Sequence, residues 1–233
     1  GFSLSYETNI PVLLGLSGSS AIISAGLRAL GSWYGVKMQP WLLANLAWQV
    51  ETVELGIPAG LQDRVAQAYN YPVFMDFDQG YFNTNPFGKY EKLTRPLKNI
   101  YIAYSDTLAE GSEKTHSNLR ERFNSGDTKM LEAVEKWKSL TILFKDALER
   151  NDLKTMNDSI NTNFDVRNEL TKLQPQQVAL VQLARQSGAS AKFCGSGGAI
   201  IGMYQDQTTL DRLKTDLGAN GVNILLPNIV YEE

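Results

Sequence analysis

The chain has 233 residues, 22 Lys and Arg against 25 Asp and Glu, a formal charge of −3 and 43% hydrophobic residues. That is the make-up of a soluble globular protein with a sizeable core, and its mild acidity excludes a general electrostatic attraction to nucleic acid or anionic membrane. The one cysteine, Cys194, excludes an internal disulfide and fits a reducing, cytoplasmic setting, while no apolar run reaches the ~20 residues of a membrane helix and no signal-peptide pattern opens the chain.

Residues 2–8 alternate apolar and polar, with Phe2, Leu4 and Tyr6 on one side, and predict a strand. A strand this close to the first glycine cluster reads as the middle of a fold. A helix is expected over 19–34, with Ser17, Ser19 and Ser20 as cap residues. A second, over 39–55, carries Leu42, Leu46 and Val50 at spacing four and is broken by Gly56 and Pro58. A third follows over 59–69, then a strand over 72–77. The turn-rich segment 78–96 is the expected connection between domains. Beyond it come a strand over 99–105, helices over 113–124, 127–149, 152–172 and 175–188, a strand over 190–194, the glycine cluster 195–198, a strand over 199–204, a helix over 207–218 and a strand over 221–227. This order is βαββαβ-like, with extra helices in the first crossover.

Three segments have the residue types for chemistry. "GLSGSSA", Gly15–Ala21, opens a helix. Unpaired N–H groups and the helix dipole suit phosphate there, glycines allow close approach, and serine hydroxyls add donors or metal ligands. In isolation the same residues describe a capped turn. The segment lacks both the Gly-Lys-Ser/Thr end of a P-loop and the GxGxxG of a dinucleotide fold. Asp63 stands on the first turn of the third helix, where it either satisfies the helix end or serves as a general base. Glu51 and Glu54 lie upstream, as metal ligands or as a solvated face. "GSGG", Gly195–Gly198, joins two apolar strands and by itself is a tight turn.

Taken together and in order, "PVLLGLSGSSA", "GIPAGLQD" and "AKFCGSGGA" resemble the GHMP kinase superfamily, the sugar, homoserine and mevalonate-type kinases. "YETNIP", "AGLQDRVAQ", "HSNLRERFNSGD" and "NFDVR" extend the resemblance to its plant-type glucuronokinase branch across nearly the whole chain. The phosphate segment departs from the usual Gly-Leu-Gly-Ser-Ser-Ala by one extra residue. The resemblance implies an α+β, two-domain fold: part of a ribosomal-protein-S5-like N-terminal domain over 1–90 and a ferredoxin-like βαββαβ domain over 91–233.

It also implies transfer of the ATP γ-phosphoryl group, with Mg²⁺, to the anomeric hydroxyl of D-glucuronate. Gly15, Leu16, Ser17, Gly18, Ser19, Ser20 and Ala21 then hold the phosphates, supported by a second loop of Gly195, Ser196, Gly197 and Gly198. Ser20, alone or with Ser19, and Glu54 contact the metal, with Glu51 in reserve. Asp63 orients the acceptor hydroxyl, and positioning and charge stabilisation carry the reaction. Arg64 acts on Asp63, meets a sugar carboxylate or points to solvent. His116 makes a structural hydrogen bond. Asn163, Asp165 and Arg167 reach the sugar or tie helices together, Cys194 is a small buried strand residue, and the tryptophans at 33, 41, 48 and 137 are core or interface. Relatives carry a segment before the phosphate loop, so a separate N-terminal fragment is an expected partner and the chain alone is expected to be nearly inactive. Three readings stay open beside this one: a kinase for galacturonate, arabinose, fucose or a heptose, a non-catalytic nucleotide- or sugar-binding relative, and a plain α/β protein with unremarked turns.

Overall fold

The structure, a computed structural model, describes residues 1–108 and 113–231, of which 106 and 113–118 as backbone only. It divides into two compact units. The first comprises Gly1–Ile10, Ser17–Pro96 and Val230 onward; the second comprises Pro11–Leu16 and Leu97–Ile229.

The first unit is built on three packed helices, α1 (Gly18–Tyr34), α2 (Pro40–Gln49) and α3 (Gln62–Tyr69). Pro40 starts α2, where its missing N–H is no loss. Leu43, Ala44 and Ala47 form the buried stripe of α2, and Leu43 and Ala44 meet Val65 and Ala68 of α3 in a small core. The expected helix over 39–55 changes character at its end. Val50–Glu54 form a turn of π-helix, closed by a bond from Leu55 N to the Val50 carbonyl at 3.0 Å.

The segment 78–96 is not a bare connection. Its residues Lys89–Lys92 (β2) pair antiparallel with Val73–Asp76 (β1), and the hairpin loop holds a short helix, α4 (Gln79–Phe82), capped by Asp78 Oδ1 accepting from Tyr81 N at 2.8 Å. Tyr90 of β2 meets Tyr69 of α3 edge to face, with ring centroids 5.6 Å apart, so the hairpin belongs to the first unit's packing. Residues 2–8 form no strand. A strand exists only by ladder bonds to a neighbour, and none of the described strands runs beside them. Their apolar side chains instead lie on α1: Phe2 stacks on Trp33 with centroids 5.8 Å apart, and Leu4 lies beside Gly26.

The second unit carries a four-stranded antiparallel sheet. Its elements in chain order are β3 (Ile100–Tyr104), α5 (Glu113–Asn124), α6 (Thr128–Glu149), α7 (Leu153–Leu170), α8 (Pro175–Gln186), β4 (Lys192–Phe193), β5 (Ala199–Met203), α9 (Gln207–Ala219) and β6 (Asn223–Leu225). The sheet order is β4-β5-β3-β6, with Ile102 opposite both Ile201 and Leu225. This is the ferredoxin-like βαββαβ arrangement, with α5–α7 as the extra helices of the first crossover. Tyr101, Ala103, Phe164, Val181, Ile200, Leu213 and Leu217 fill the core under α8 and α9. Asp127, Asp152 and Asp206 cap α6, α7 and α9, each accepting a backbone N–H three residues on.

Candidate functional site

The first glycine segment has an unusual backbone. Leu13 (φ 60°), Gly15 (φ 68°) and Ser17 (φ 59°) are all left-handed and alternate along the chain. Leucine and serine are strained in that region. Successive residues that alternate between the right- and left-handed regions are the backbone pattern from which anion-binding nests are built. The segment leads directly into α1. Ser17 stands at the N-cap, yet no side chain caps this helix. The serines thus do not serve as the caps that the sequence suggested: Ser17 is left-handed, whereas a capping residue is typically extended. The first bond of the helix runs from Ala21 N to the Ser17 carbonyl, 3.1 Å, and the amides before it have no partner within the helix.

Within the first unit a polar line runs from this helix start. Ser19 Oγ donates to Glu51 Oε1 at 2.8 Å. Glu51 is buried, 1% exposed, and its Oε2 receives both Nε and Nη2 of Arg64. Arg64, itself buried, donates through Nη1 to the Gly60 carbonyl at 3.0 Å and lies 3.5 Å from Asp63 Oδ2. Asp63 sits on the first turn of α3 with its side chain 49% exposed, open to a ligand.

The two expected metal ligands, Ser20 and Glu54, differ in their surroundings. Ser20 is fully buried and its hydroxyl donates to the Ser17 carbonyl at 2.9 Å; Ser19 is the serine that meets a carboxylate. Glu54 is exposed. At α-helical spacing Glu54 would follow Ala47 by seven residues onto the buried stripe. The π turn takes more residues per turn, so Glu51 stays on that stripe and Glu54 rotates outward. Among the described residues no group of three His, Cys, Asp or Glu forms a metal cage. Mg²⁺ usually takes one or two carboxylates and completes its shell with phosphate oxygens and water. The convergent oxygens of Ser19 and Glu51 fit that requirement.

Within the second unit the two glycine segments touch backbone to backbone. A Cβ on Gly15 would lie 3.2 Å from the Gly197 carbonyl oxygen and 3.3 Å from Ser196 N, and one on Gly195 would lie 3.1 Å from the Gly15 oxygen. Gly198 (φ 82°) packs under Leu14, where a Cβ would come within 2.8 Å of Leu14 Cδ2 and 3.1 Å of the Leu108 oxygen. Arg167 fastens the second loop from α7: Nη1 donates to the Gly195 carbonyl at 2.6 Å and Nη2 to that of Ser196 at 3.0 Å, with the guanidinium over the Phe193 ring. Burial lowers the pKa of Arg167. Burial likewise lowers that of Lys192, whose Nζ donates to the Phe193 carbonyl at 3.1 Å. Cys194 closes the turn, its N–H bonding the Ala199 carbonyl at 3.0 Å, and burial pushes its thiol up to about 12.

Other candidates make contacts within the fold. Asp165 pairs with Arg185 at 2.7 Å, and the Asn163 carbonyl accepts from Trp137 Nε1 at 3.1 Å, so both tie helices together. The His116 side chain lies outside the described residues. Trp33 is 67% exposed, whereas Trp48 bonds the Ala59 carbonyl at 2.9 Å. Sequence reasoning missed Leu14 and Gln177, the buried side chains against Gly198 and Gly197; their apolar and amide character carries no motif.

The family profile of the GHMP kinases N terminal domain matches residues 1–71, and that of the GHMP kinases C terminal domain matches residues 144–223. The chain is 38% identical over 206 residues to glucuronokinase 1 of Arabidopsis thaliana, and 38% identical over 207 residues to probable glucuronokinase 2 of the same plant. Each alignment covers 86% of this chain and 56% of the relative, so the chain spans about half the length of these curated relatives. Among solved structures, a Streptococcus pneumoniae phosphomevalonate kinase in complex with phosphomevalonate and AMPPNP superposes with a TM-score of 0.75 over 89% of this chain and 66% of that one, at 16% identity, a likeness of fold. With both family profiles matched in order and the glucuronokinase text shared across most of its length, the chain belongs to the GHMP kinase family.

Proposed function

We propose that the protein of which this chain is a part transfers the γ-phosphoryl group of ATP to the anomeric hydroxyl of D-glucuronate, giving glucuronate 1-phosphate and ADP. The observation that carries the reading is the line Ser19–Glu51–Arg64–Asp63, which places an oxygen-donor pair and an open carboxylate in one unit, beginning at an uncapped helix N-terminus. The glucuronate acceptor is suggested by the two plant relatives, and the ATP phosphates by the nest-like backbone at Leu13–Ser17.

In this reading the amides of Gly18, Ser19 and Ser20 and the nest hold the phosphate chain. Ser19 and Glu51 hold Mg²⁺, which supplies neutralisation of the phosphate charge. Gly195–Gly198 support Gly15 from behind. Asp63 orients the C1 hydroxyl and accepts its proton as the new O–P bond forms and the bond to the ADP oxygen breaks, so that the proton lost by the sugar is accounted for at Asp63. Phosphoryl transfer asks for placement and charge, and every residue named supplies one or the other.

The test is a panel of sugar acids and neutral sugars offered with ATP and Mg²⁺ to the full-length protein, the products being read by phosphorus NMR. A sugar 1-phosphate formed from glucuronate, in preference to galacturonate, arabinose, fucose and heptoses, is the expected result. Phosphorylation of a neutral sugar with glucuronate ignored would overturn the substrate, and absence of ATP consumption with every sugar would overturn the activity.

A further inference from the structure

We infer that Arg64 is a positioning residue that sets the Glu51 carboxylate toward the phosphate segment and ties it to Asp63, so that nucleotide-bound metal and acceptor carboxylate are placed as one piece. The inference rests on the kinase reading above. Its grounds are geometric. Glu51 has two carboxylate oxygens; Arg64 takes Oε2 with both Nε and Nη2, which leaves Oε1 facing Ser19 at 2.8 Å. Two directional N–H groups of a planar guanidinium on one oxygen, with Ser19 on the other, hold the carboxylate at both ends, which a single rotating ammonium does less strictly. The third arm, Nη1, holds the Gly60 carbonyl just ahead of α3 and reaches toward Asp63. Arg64 thus binds the π turn to the start of α3, and it does so from a buried position with its donors committed to Glu51, Gly60 and Asp63.

The chemistry follows from that placement. Groups one bond behind a metal ligand orient it, and their loss typically weakens metal affinity ~10–100-fold. Lysine in place of Arg64 keeps the charge but has a single, non-planar donor head. Arg64→Lys in the full-length protein is therefore expected to raise the Mg²⁺ concentration needed for half-maximal binding of a non-hydrolysable ATP analogue about 10-fold, while leaving metal-free binding of the analogue unchanged. A purely structural arginine would instead lower the fraction of folded protein and leave the Mg²⁺ dependence of the folded fraction as it was.

Calorimetric titrations of the analogue, with and without Mg²⁺, read the two affinities separately. An Arg64→Lys variant with wild-type Mg²⁺ dependence, or one that loses metal-free and metal-bound affinity equally, overturns the inference. A variant that fails to fold does not end the matter, because the unaltered protein gives a second reading. The Nε–H resonance of Arg64 is expected to shift when Mg²⁺ and analogue are added together and to stay in place with analogue alone; a resonance indifferent to Mg²⁺ overturns the inference. If the unaltered protein binds no Mg²⁺–nucleotide, the kinase reading has failed, which is a different result from either.

Discussion

The two units hold their candidate segments by opposite means. In the first, charged side chains do the work: the line from Ser19 to Asp63 passes through a buried ion pair beside a small apolar core. In the second, backbone crowding does it: a Cβ on Gly15 or Gly195 would press on other main-chain atoms, one on Gly198 would collide with Leu14, and Arg167 pins the loop by its carbonyls. A buried ion pair tolerates no loss of a partner. A glycine contact tolerates no gain of an atom. The first arrangement is thus sensitive to removal and the second to addition, and substitutions of the two kinds separate them.

The largest effect is expected at Asp63, the carboxylate proposed to orient the acceptor hydroxyl. Asp63→Ala should lower turnover by about 10²–10⁴-fold, the usual range for a general base, with nucleotide affinity by calorimetry nearly unchanged. Loss of nucleotide binding along with turnover would place Asp63 on the phosphate side. Next comes Glu51→Gln, which leaves Arg64 buried beside a neutral amide. Breaking a buried pair costs about 3–5 kcal/mol, and urea unfolding should show a loss of that order; a change below 1 kcal/mol would mean that the pair is hydrated in solution.

Addition to the second unit should cost less. Gly198→Ala forces a Cβ against Leu14 and the Leu108 carbonyl at a left-handed φ, an overpacked and strained position worth about 1–3 kcal/mol. Gly218, where a Cβ meets open space, is the control, and equal effects at the two sites would remove the crowding argument.

A smaller contrast lies in acid. Hydrogen bonds from Thr155 hold the Asp152 carboxyl below its ordinary range, and those from Arg122 and Met130 do the same for Asp127. A depressed carboxylate stabilises above its unfolded pKa of about 4, and that contribution is lost as pH falls through the folded value. The difference in melting temperature between the parent protein and Asp152→Ala should therefore be present at pH 6 and vanish at low pH; a difference that persists there would point to packing. The smallest change belongs to Glu54→Gln, an exposed position away from the ion pair, with an expected effect within about 0.5 kcal/mol and unaltered Mg²⁺ dependence. A large effect there would restore Glu54 as a metal ligand.

Much of the fold can be read from spacing alone. The helices expected over 113–124, 127–149 and 152–172 stand within two residues of those observed, because aspartate caps at 127 and 152 mark their starts. Other stretches follow rules that spacing does not express. Residues 2–8 have a strand's alternation and no strand's neighbour, and 78–96 has a linker's composition but is stapled to the first unit by the β1–β2 ladder. The candidate site divides in the same way. Ser19, Glu51, Asp63 and Arg64 were each visible as residue types, but which of them touch was not. The choice between Glu51 and Glu54 turned on a widened helical turn, and the fate of Arg64 on which acid lay across from it.

The sequence by itself determined the family, the order of the elements in the second unit and the segments rich in glycine, serine and carboxylate, since these depend on local pattern and on text shared with relatives. Only the tertiary structure decided that the Ser19 hydroxyl meets Glu51, that Arg64 pairs with that carboxylate, and that Gly15 lies against Gly195–Gly197. Those contacts join residues 13 to 182 positions apart. Side-chain direction at that separation is set by how helices and loops pack, a property of the folded chain that no local period encodes.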